Sequence, residues 1–464
     1  MSVFSRRAVL LYGVLLLLIA VSAGVIVYAQ QPVKVVSSYG PTNQDMTFSQ
    51  IKAARMAVKD TCAKAHQNLL NSRYDLSKKT TTEVTMSGGK PLPVGPTARL
   101  QGLTWDQLDK LTSEQIKERG LFPYKPLPFP DHAEGGMLFP EMTTKPLPRL
   151  IRFDLDFDLP EHFLPDPAPA IYLTTRPDLG DVAKGRLITI NNYYEIFNGI
   201  LNPKQLEGLR LLLTQFPQQQ FNATEDRRTD KADGMLGVTC FDCHVNGHTS
   251  KATHLVGDIR PQEFRHRINT PSLRGVNIQR LFGSQRALKT VEDFTEFEQR
   301  AAYFDGDIAM AAKKGVNVLD RSSQVHFMTE FLEILDFPPA PKLNVLGELE
   351  KAKASESEVR GEALFNGKAR CAACHPAISY YTDNSMHDLK AERFYKQEVA
   401  NGMMMAHDGP IKTFPLRGIK DSPPYLHDGR CFTLEDTVEY FNLVLQLHLT
   451  SQEKKDVVAF LRCL

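Results

Sequence analysis

Cys240-Phe241-Asp242-Cys243-His244 and Cys371-Ala372-Ala373-Cys374-His375 decide how this chain is read. Both are C-x-x-C-H, the attachment signature of c-type haem. The two thiols add across the porphyrin vinyl groups as thioethers, and the adjacent imidazole is the proximal iron ligand. On a helix, Cys240 and His244 lie one turn apart on one face, as do Cys371 and His375. One short segment therefore grips both the macrocycle edge and its metal. The chain holds 7 Cys and 13 His in 464 residues. Random placement at that composition gives about 0.003 such motifs. A zinc site is the first competing reading, but the motifs begin 131 residues apart and each ends in His. A thioredoxin-like dithiol needs a βαβ context that the flanking sequence lacks. The sequence thus predicts two covalently bound haem c groups. Cys240, Cys243 and His244 hold one, and Cys371, Cys374 and His375 hold the other, with His244 and His375 as iron ligands.

Composition adds bounds. Hydrophobic residues make up 42% of the chain, ordinary for a globular protein, and the formal net charge of +1 gives no reason to expect nucleic acid. Arg6 and Arg7 precede an uncharged run from Ala8 to Tyr28, 21 residues in all and long enough to cross a bilayer. The basic flank predicts a cytoplasmic N-terminus and export of the remainder of the chain. Val27-Tyr28-Ala29 also suits signal-peptidase cleavage after Ala29. Residues 1–30 are therefore a signal peptide or a membrane anchor, the length of the apolar run favouring the anchor. Either way residues 30–464 are expected in the periplasm, soluble or held to the inner membrane by residues 8–28. Haem c is attached in that compartment in bacteria, so export and the two motifs agree.

The C-terminal half repeats itself. Thr270-Pro-Ser-Leu273-Arg274-Gly275 recurs as Thr413-Phe-Pro-Leu416-Arg417-Gly418, and Thr290-Val-Glu292-Asp293 as Thr433-Leu-Glu435-Asp436, both at an offset of 143. Phe282 matches Tyr425 and Phe297 matches Tyr440 at the same offset. Apolar helices at 324–335 and 452–461 close the two copies. Thr433 reads as an N-cap before a stripe of Val438, Phe441 and Leu445, and Thr450 or Ser451 caps a last helix whose core face holds Val457, Val458, Phe460 and Leu461. The expected fold is mainly α: two tandem cytochrome c-like helical domains at 226–345 and 350–464, joined by a Pro/Ala/Lys-rich linker at 337–354.

Residues 31–225 form a separate, irregular, Pro-rich region with some helix and little strand; fourteen prolines fall between Pro91 and Pro169. Helices are expected over 48–70 and 104–119, with Thr104 and Gln107 as a capping box, and from Asn202-Pro203 through Leu206, Leu209 and Leu213. Arg152-Phe-Asp-Leu-Asp-Phe-Asp158 alternates like a half-buried strand. Asp154, Asp156 and Asp158 are a solvated strand face or, alternatively, a calcium site. Cys62-Ala-Lys-Ala-His66 lacks a second Cys and reads as a helical surface pair. Cys431 and Cys463 are candidates for a disulfide, though spacing alone does not bring them together. The default for 31–225 is a segment that wraps or caps the haem pair.

Residues 230–464 resemble the bacterial di-haem cytochrome c peroxidase superfamily, which includes the MauG-like enzymes. The resemblance rests on Gly361-Glu-Ala-Leu-Phe365, Cys371 to Pro376, Pro423-Pro-Tyr-Leu-His427-Asp-Gly429-Arg430, Thr433-Leu-Glu-Asp436 and 449–461, and in the first copy on Cys240 to His244 and Asn269-Thr-Pro-Ser-Leu273. It makes the chain a branch with an N-terminal extension. It implies a reactive N-terminal haem on His244, where peroxide is cleaved, and a six-coordinate C-terminal haem on His375 that relays electrons. Three departures stand out. The family's inter-haem Trp is missing from Phe282-Gly283-Ser284-Gln285-Arg286. The position of the relay haem's distal ligand is Phe441, beside Tyr440. The distal acid has no clean counterpart, Asp305 and Asp307 being the nearest catalytic candidates. Met403, Met404, Met405 and His254 are candidate distal ligands; His248 and His266 also follow the first motif. His427 reads as structural more than ligating. Arg274 and Arg417 pair with haem propionates or form surface ion pairs.

Two classes of function are compatible with these residues. One is an exported di-haem oxidoreductase, peroxidase-like, acting on hydrogen peroxide or a protein substrate. The other is a non-catalytic electron-transfer cytochrome or a subunit of a periplasmic redox complex. Both need a periplasmic or membrane electron donor.

Overall fold

The computed structural model describes residues 57, 61, 64, 67–77, 79–87, 89–127, 137–138, 145–148, 163–164, 168–215, 239–251, 253–256, 266–304, 324–397, 399–400, 403–404 and 408–464. The expected anchor at 8–28, the Asp154–Asp156–Asp158 stretch, Cys62 and His66 lie outside them. No helix among the described residues is long and apolar enough to cross a membrane. The architecture is mainly helical. Among the described residues strands are two to six residues long, in two- and three-stranded ladders with no closed sheet.

Ten helices matter here: α1 (Trp105–Leu108), α2 (Ser113–Glu118), α3 (Tyr193–Phe197), α4 (Pro203–Leu212), α5 (Cys240–Cys243), α6 (Val291–Phe304), α7 (His326–Leu332), α8 (Glu356–Asn366), α9 (Leu434–Leu445) and α10 (Ser451–Leu461). Capping chemistry sets many of their starts. Thr104 caps α1 with Gln107 as expected, but the single helix expected over 104–119 is two. Thr112 and Gln115 form a second capping box, whose side-chain oxygens accept from the free amides of a fresh helix start, and the first helix ends at Asp109. Asn202 caps α4, Thr433 caps α9 and Thr450 caps α10.

The sequence repeat is also a backbone repeat. Gly275 and Gly418 take the same left-handed φ, +70° and +71°, each opening a 3-10 turn. The Gly275 amide donates to Leu335 O and the Gly418 amide to Leu464 O, so each turn is tied to the residue three past its closing helix. Phe282 bridges Leu288, as Tyr425 bridges Cys431. The correspondence extends to helices the sequence did not align. Asn202 and Ser355 each head a capping box, and Gly208 and Gly361 each lie six residues later. A Cβ on Gly208 would sit 1.8 Å from Phe327 O on α7, and one on Gly361 would sit 2.0 Å from Asp456 O on α10. Helix pairs α4/α7 and α8/α10 therefore cross at glycine, backbone against backbone.

Two apolar cores result. The first joins Ile171, Val182, Phe197, Leu209 and Leu212 to Phe241, Met328 and Phe331. The second joins Leu70, Tyr74, Leu108, Ile116, Phe122 and Tyr124 to Phe365, Phe432, Leu443, Val457 and Phe460. The N-terminal region is thus shared between the cores: its early part packs on the C-terminal copy, its late part on the first. The stretch expected as a linker is ordered against its neighbours, with Phe337 buried and Lys342 Nζ 2.6 Å from Glu358.

Candidate haem-binding site

The first motif is held by its own caps. Thr239 Oγ1 accepts from the Asp242 amide at 3.1 Å, and Asp242 Oδ2 accepts from the Thr239 amide at 2.6 Å. This capping box winds Cys240–Cys243 into one turn. The His244 amide donates to Cys240 O at 2.9 Å, so the imidazole follows one turn after the first thiol. The second motif reaches the same spacing from a 3-10 turn, Cys371–Ala373, entered through left-handed Arg370; the His375 amide donates to Cys371 O, also at 2.9 Å.

Both imidazoles are oriented in the same manner. His244 Nδ1 lies 2.9 Å from Pro271 O, and His375 Nδ1 lies 2.7 Å from Tyr381 O. A carbonyl only accepts, so each Nδ1 carries the proton and donates it, which leaves the Nε2 lone pair for a metal. Burial pushes His244 down to about 4 and lowers His375 as well. Both are therefore neutral at pH 7, the form that ligates. Burial raises the thiols, Cys371 to about 12 and Cys243 and Cys374 upward too. None of the described cysteines is in a disulfide. Neutral thiols beside a carbonyl-anchored neutral imidazole fit haem c. Such a group would supply one-electron redox chemistry, and His244 and His375 are the side chains that would hold its iron.

The remaining sequence candidates separate. Asp305 and Asp307 lie outside the described residues, as does Met405. Met403–Met404 form a strand paired with Val399–Ala400, and His254 lies in strand Thr253–Val256 beside His266–Asn269. His248 is buried with both ring nitrogens engaged, Nδ1 on Ser272 Oγ at 2.7 Å and Nε2 on Asp421 O at 3.1 Å. His427 approaches Asp408 at 3.5 Å, and its carbonyl accepts from the Asn269 amide, a structural role. Cys431 and Cys463 are both buried and unbridged. Tyr440 is 3% exposed, its ring packed against Phe122 and Tyr124, and Phe441 is half-buried beside it.

Arg274 and Arg417 share one kind of contact, and among the described residues neither forms a surface ion pair. Arg274 Nη2 donates to Ala170 O and Arg417 Nη2 to Pro338 O, so each fastens the chain that enters its copy. Arg274 also reaches the buried Asp421 at 3.3 Å.

Several residues of the site carried no clear signal in the sequence. Arg430 is fully buried and forks onto Asp408 at 2.8 and 3.1 Å while its Nε meets Asp428. Burial alone would raise Asp428, yet Arg430 holds it below the usual carboxylate range. Lys412 is buried over the Phe282 and Phe414 rings at 5.4 Å each, beside the Gly283 loop; burial lowers it to about 8. Asp383, His387 and Cys374 lie within 4.8 Å of one another, and His387 Nε2 is 2.7 Å from Asp383. Cys374 was given by its motif, and Asp428 and Arg430 had a sequence hint in the Pro-Tyr-Leu-His-Asp-Gly-Arg stretch; Asp408, Lys412, Asp383 and His387 had none.

No protein-family model matches the chain. Sequence comparison finds the methylamine utilization protein MauG of Methylorubrum extorquens, 35% identical over 119 residues, which is 23% of this chain and 33% of that protein. The cytochrome-c peroxidase IdrP1 of Denitromonas iodatirespirans is 29% identical over 160 residues, 25% of this chain and 42% of that one. The cytochrome c551 peroxidase of Nitrosomonas europaea is 31% identical over 134 residues, 27% and 39% respectively. The chain spans less than half the length of each of these relatives.

Proposed function

We propose that this chain, a relative of the di-haem cytochrome c peroxidases and MauG-like proteins, is an exported di-haem oxidoreductase that uses hydrogen peroxide as oxidant. The observation that carries the reading is the pair of C-x-x-C-H turns, each with its imidazole Nδ1 fixed on a backbone carbonyl. The relatives' names support an oxidoreductase role and haem c as the cofactor. On this reading Cys240 and Cys243 tether the reactive haem, and Cys371 and Cys374 tether the relay haem. The two copies are cytochrome c-like domains, and the first begins at Asn202, since α4 crosses α7 at Gly208 as α8 crosses α10 at Gly361. Residues 8–28 direct export or anchor the chain to the inner membrane, where a membrane or periplasmic donor supplies electrons.

This chain's residues divide the work. Pro271 O and Tyr381 O hold the imidazoles in the ligating tautomer. Burial keeps both neutral. Arg274 and Arg417 fasten the segment that enters each copy, at Ala170 O and Pro338 O.

A second reading, electron carriage without catalysis, is favoured by Gly283 and Phe441. They occupy the places of the family's inter-haem Trp and the relay haem's distal ligand. Spectroscopy separates the two. Peroxidase-like chemistry predicts a high-spin ferric fraction and an optical change on adding hydrogen peroxide to the haem-loaded protein. Two low-spin spectra indifferent to peroxide would leave the carrier.

A further inference from the structure

The N-terminal region places a row of aromatic rings against α9. Trp105, the chain's single Trp, is half-buried and stacks on Tyr124 at 6.2 Å between centroids, 20° from parallel. Tyr124 meets Tyr440 edge-on at 6.0 Å, and Tyr440 meets Phe441 at 5.3 Å. Phe441 and Cys371 line the same apolar core. The rings therefore run from a partly exposed indole through Tyr124 of the N-terminal region to Tyr440 and Phe441 of α9, at the core that Cys371 also borders.

One station on the row has a proton acceptor. Tyr124 is fully buried, and its hydroxyl donates to Asp436 Oδ1 at 3.0 Å. Asp436 is also fully buried, and its other partners, the Thr97 amide and hydroxyl and the Ala98 amide, are all donors. No cation among the described residues pairs with it. Tyr74, buried in the same core, has a hydroxyl without a hydrogen-bond partner. A phenol that loses an electron becomes a strong acid, so oxidation in a dry core needs a base in contact. Tyr124 has one and Tyr74 does not.

We infer that Tyr124 is a redox-active tyrosine, with Asp436 as its proton acceptor and Trp105 as its surface terminal, carrying oxidising equivalents between the second haem site and a one-electron donor at the protein surface. The inference rests on the peroxide reading for its oxidant. Tyr124 loses one electron and its O–H bond breaks; the proton passes to Asp436 Oδ1, and the electron leaves through the Tyr440 ring. Two such electrons, with two protons drawn from solvent, reduce one hydrogen peroxide to two waters, while the Tyr124 proton stays on Asp436. An external one-electron donor, a phenol or a redox protein docking at Trp105, then restores Tyr124, and Asp436 returns the proton. Burial raises the pKa of Asp436, which makes it the better base for this transfer.

The test uses the full haem-loaded chain in two arms. In one, hydrogen peroxide is mixed in and samples are freeze-quenched for electron paramagnetic resonance, with ring-deuterated tyrosine to identify the radical. In the other, a ruthenium photosensitiser oxidises the protein in flashes without peroxide. Both arms should give a tyrosyl signal that is lost in Tyr124→Phe and shortened in Asp436→Asn. Trp105→Phe should slow reduction of the radical by an added phenol and leave its formation intact. Haem spectra that respond to peroxide while Tyr124→Phe keeps the same radical would overturn the inference and leave the functional reading standing. Haem spectra indifferent to peroxide would remove that reading, and the photochemical arm would still decide on Tyr124. A flash-induced signal unchanged in Tyr124→Phe, or none in the wild type, would overturn the inference by itself.

Discussion

Replacing Gly361 by Ala should destabilise the protein even though alanine is the better helix former. The added Cβ would lie 2.0 Å from Asp456 O, a backbone atom that no rotamer change can move, and real Cβ contacts do not fall below 3.0 Å. Helices α8 and α10 must therefore separate by at least about 1 Å, which forfeits a quarter to a half of the attraction at the crossing. Overpacking of this kind costs about 1–3 kcal/mol, and helix propensity returns up to about 1 kcal/mol. A main-chain clash this deep belongs at the upper end of that range, about 2–3 kcal/mol, so the net expectation is a loss of about 1–2 kcal/mol. Gly208→Ala carries the same expectation in the first copy, where the contact is 1.8 Å from Phe327 O. Exposed Ala363 on α8 is the internal control, since Ala363→Gly loses only propensity, about 1 kcal/mol. The assay is equilibrium denaturation in guanidinium, followed at the haem absorption and by far-UV circular dichroism. An unchanged or raised midpoint in Gly361→Ala would refute the close crossing. A loss in Gly361→Ala with none in Gly208→Ala would refute the equivalence of the two helix pairs.

The same contacts set three further outcomes. His375→Ala should leave the thioethers in place but alter the optical and resonance spectra of one haem; unchanged haem spectra would contradict its assignment. Asp436→Ala should cost about 3–5 kcal/mol, because it strands buried donors on Thr97, Ala98 and Tyr124; a loss under about 1 kcal/mol would show that the N-terminal region does not depend on this carboxylate. Asp456 is held below its usual pKa by Arg360, with Ser357 and Gln452 adding to the effect. A depressed carboxylate contributes stability above its unfolded pKa and loses it as pH falls through the folded value. Asp456→Asn should therefore be less stable than wild type at pH 7, and the gap should close in acid; a gap constant down to about pH 2 would contradict this.

How much of this was legible in the sequence depends on where each signal lives. The motifs, the Thr433 and Thr450 caps and the buried face of α10 depend on neighbours within a few residues, and the sequence states them openly. The Gly275 and Gly418 turns showed through the repeat. The crossing of α4 on α7 was hidden because its determinant is one small residue opposite a distant backbone carbonyl, with no matching side chain to align. The main-chain contacts of Arg274 and Arg417 were hidden for the same reason: Ala170 O and Pro338 O are atoms that any residue provides. The break inside 104–119 was readable in principle, since Thr112 and Gln115 repeat the capping pattern of Thr104 and Gln107. Asp436 is the opposite case. Its sequence context marks an acidic first turn, and only the fold brings Thr97 and Tyr124 to it across more than 300 positions.

Denaturing mass spectrometry of the chain, expressed in a host competent in cytochrome maturation, tests the central claim most directly. The account predicts a mass increase of two haem groups that survives denaturation, falling to one in Cys240→Ser/Cys243→Ser and in Cys371→Ser/Cys374→Ser. An unmodified mass, with all four motif thiols open to alkylation, would contradict it.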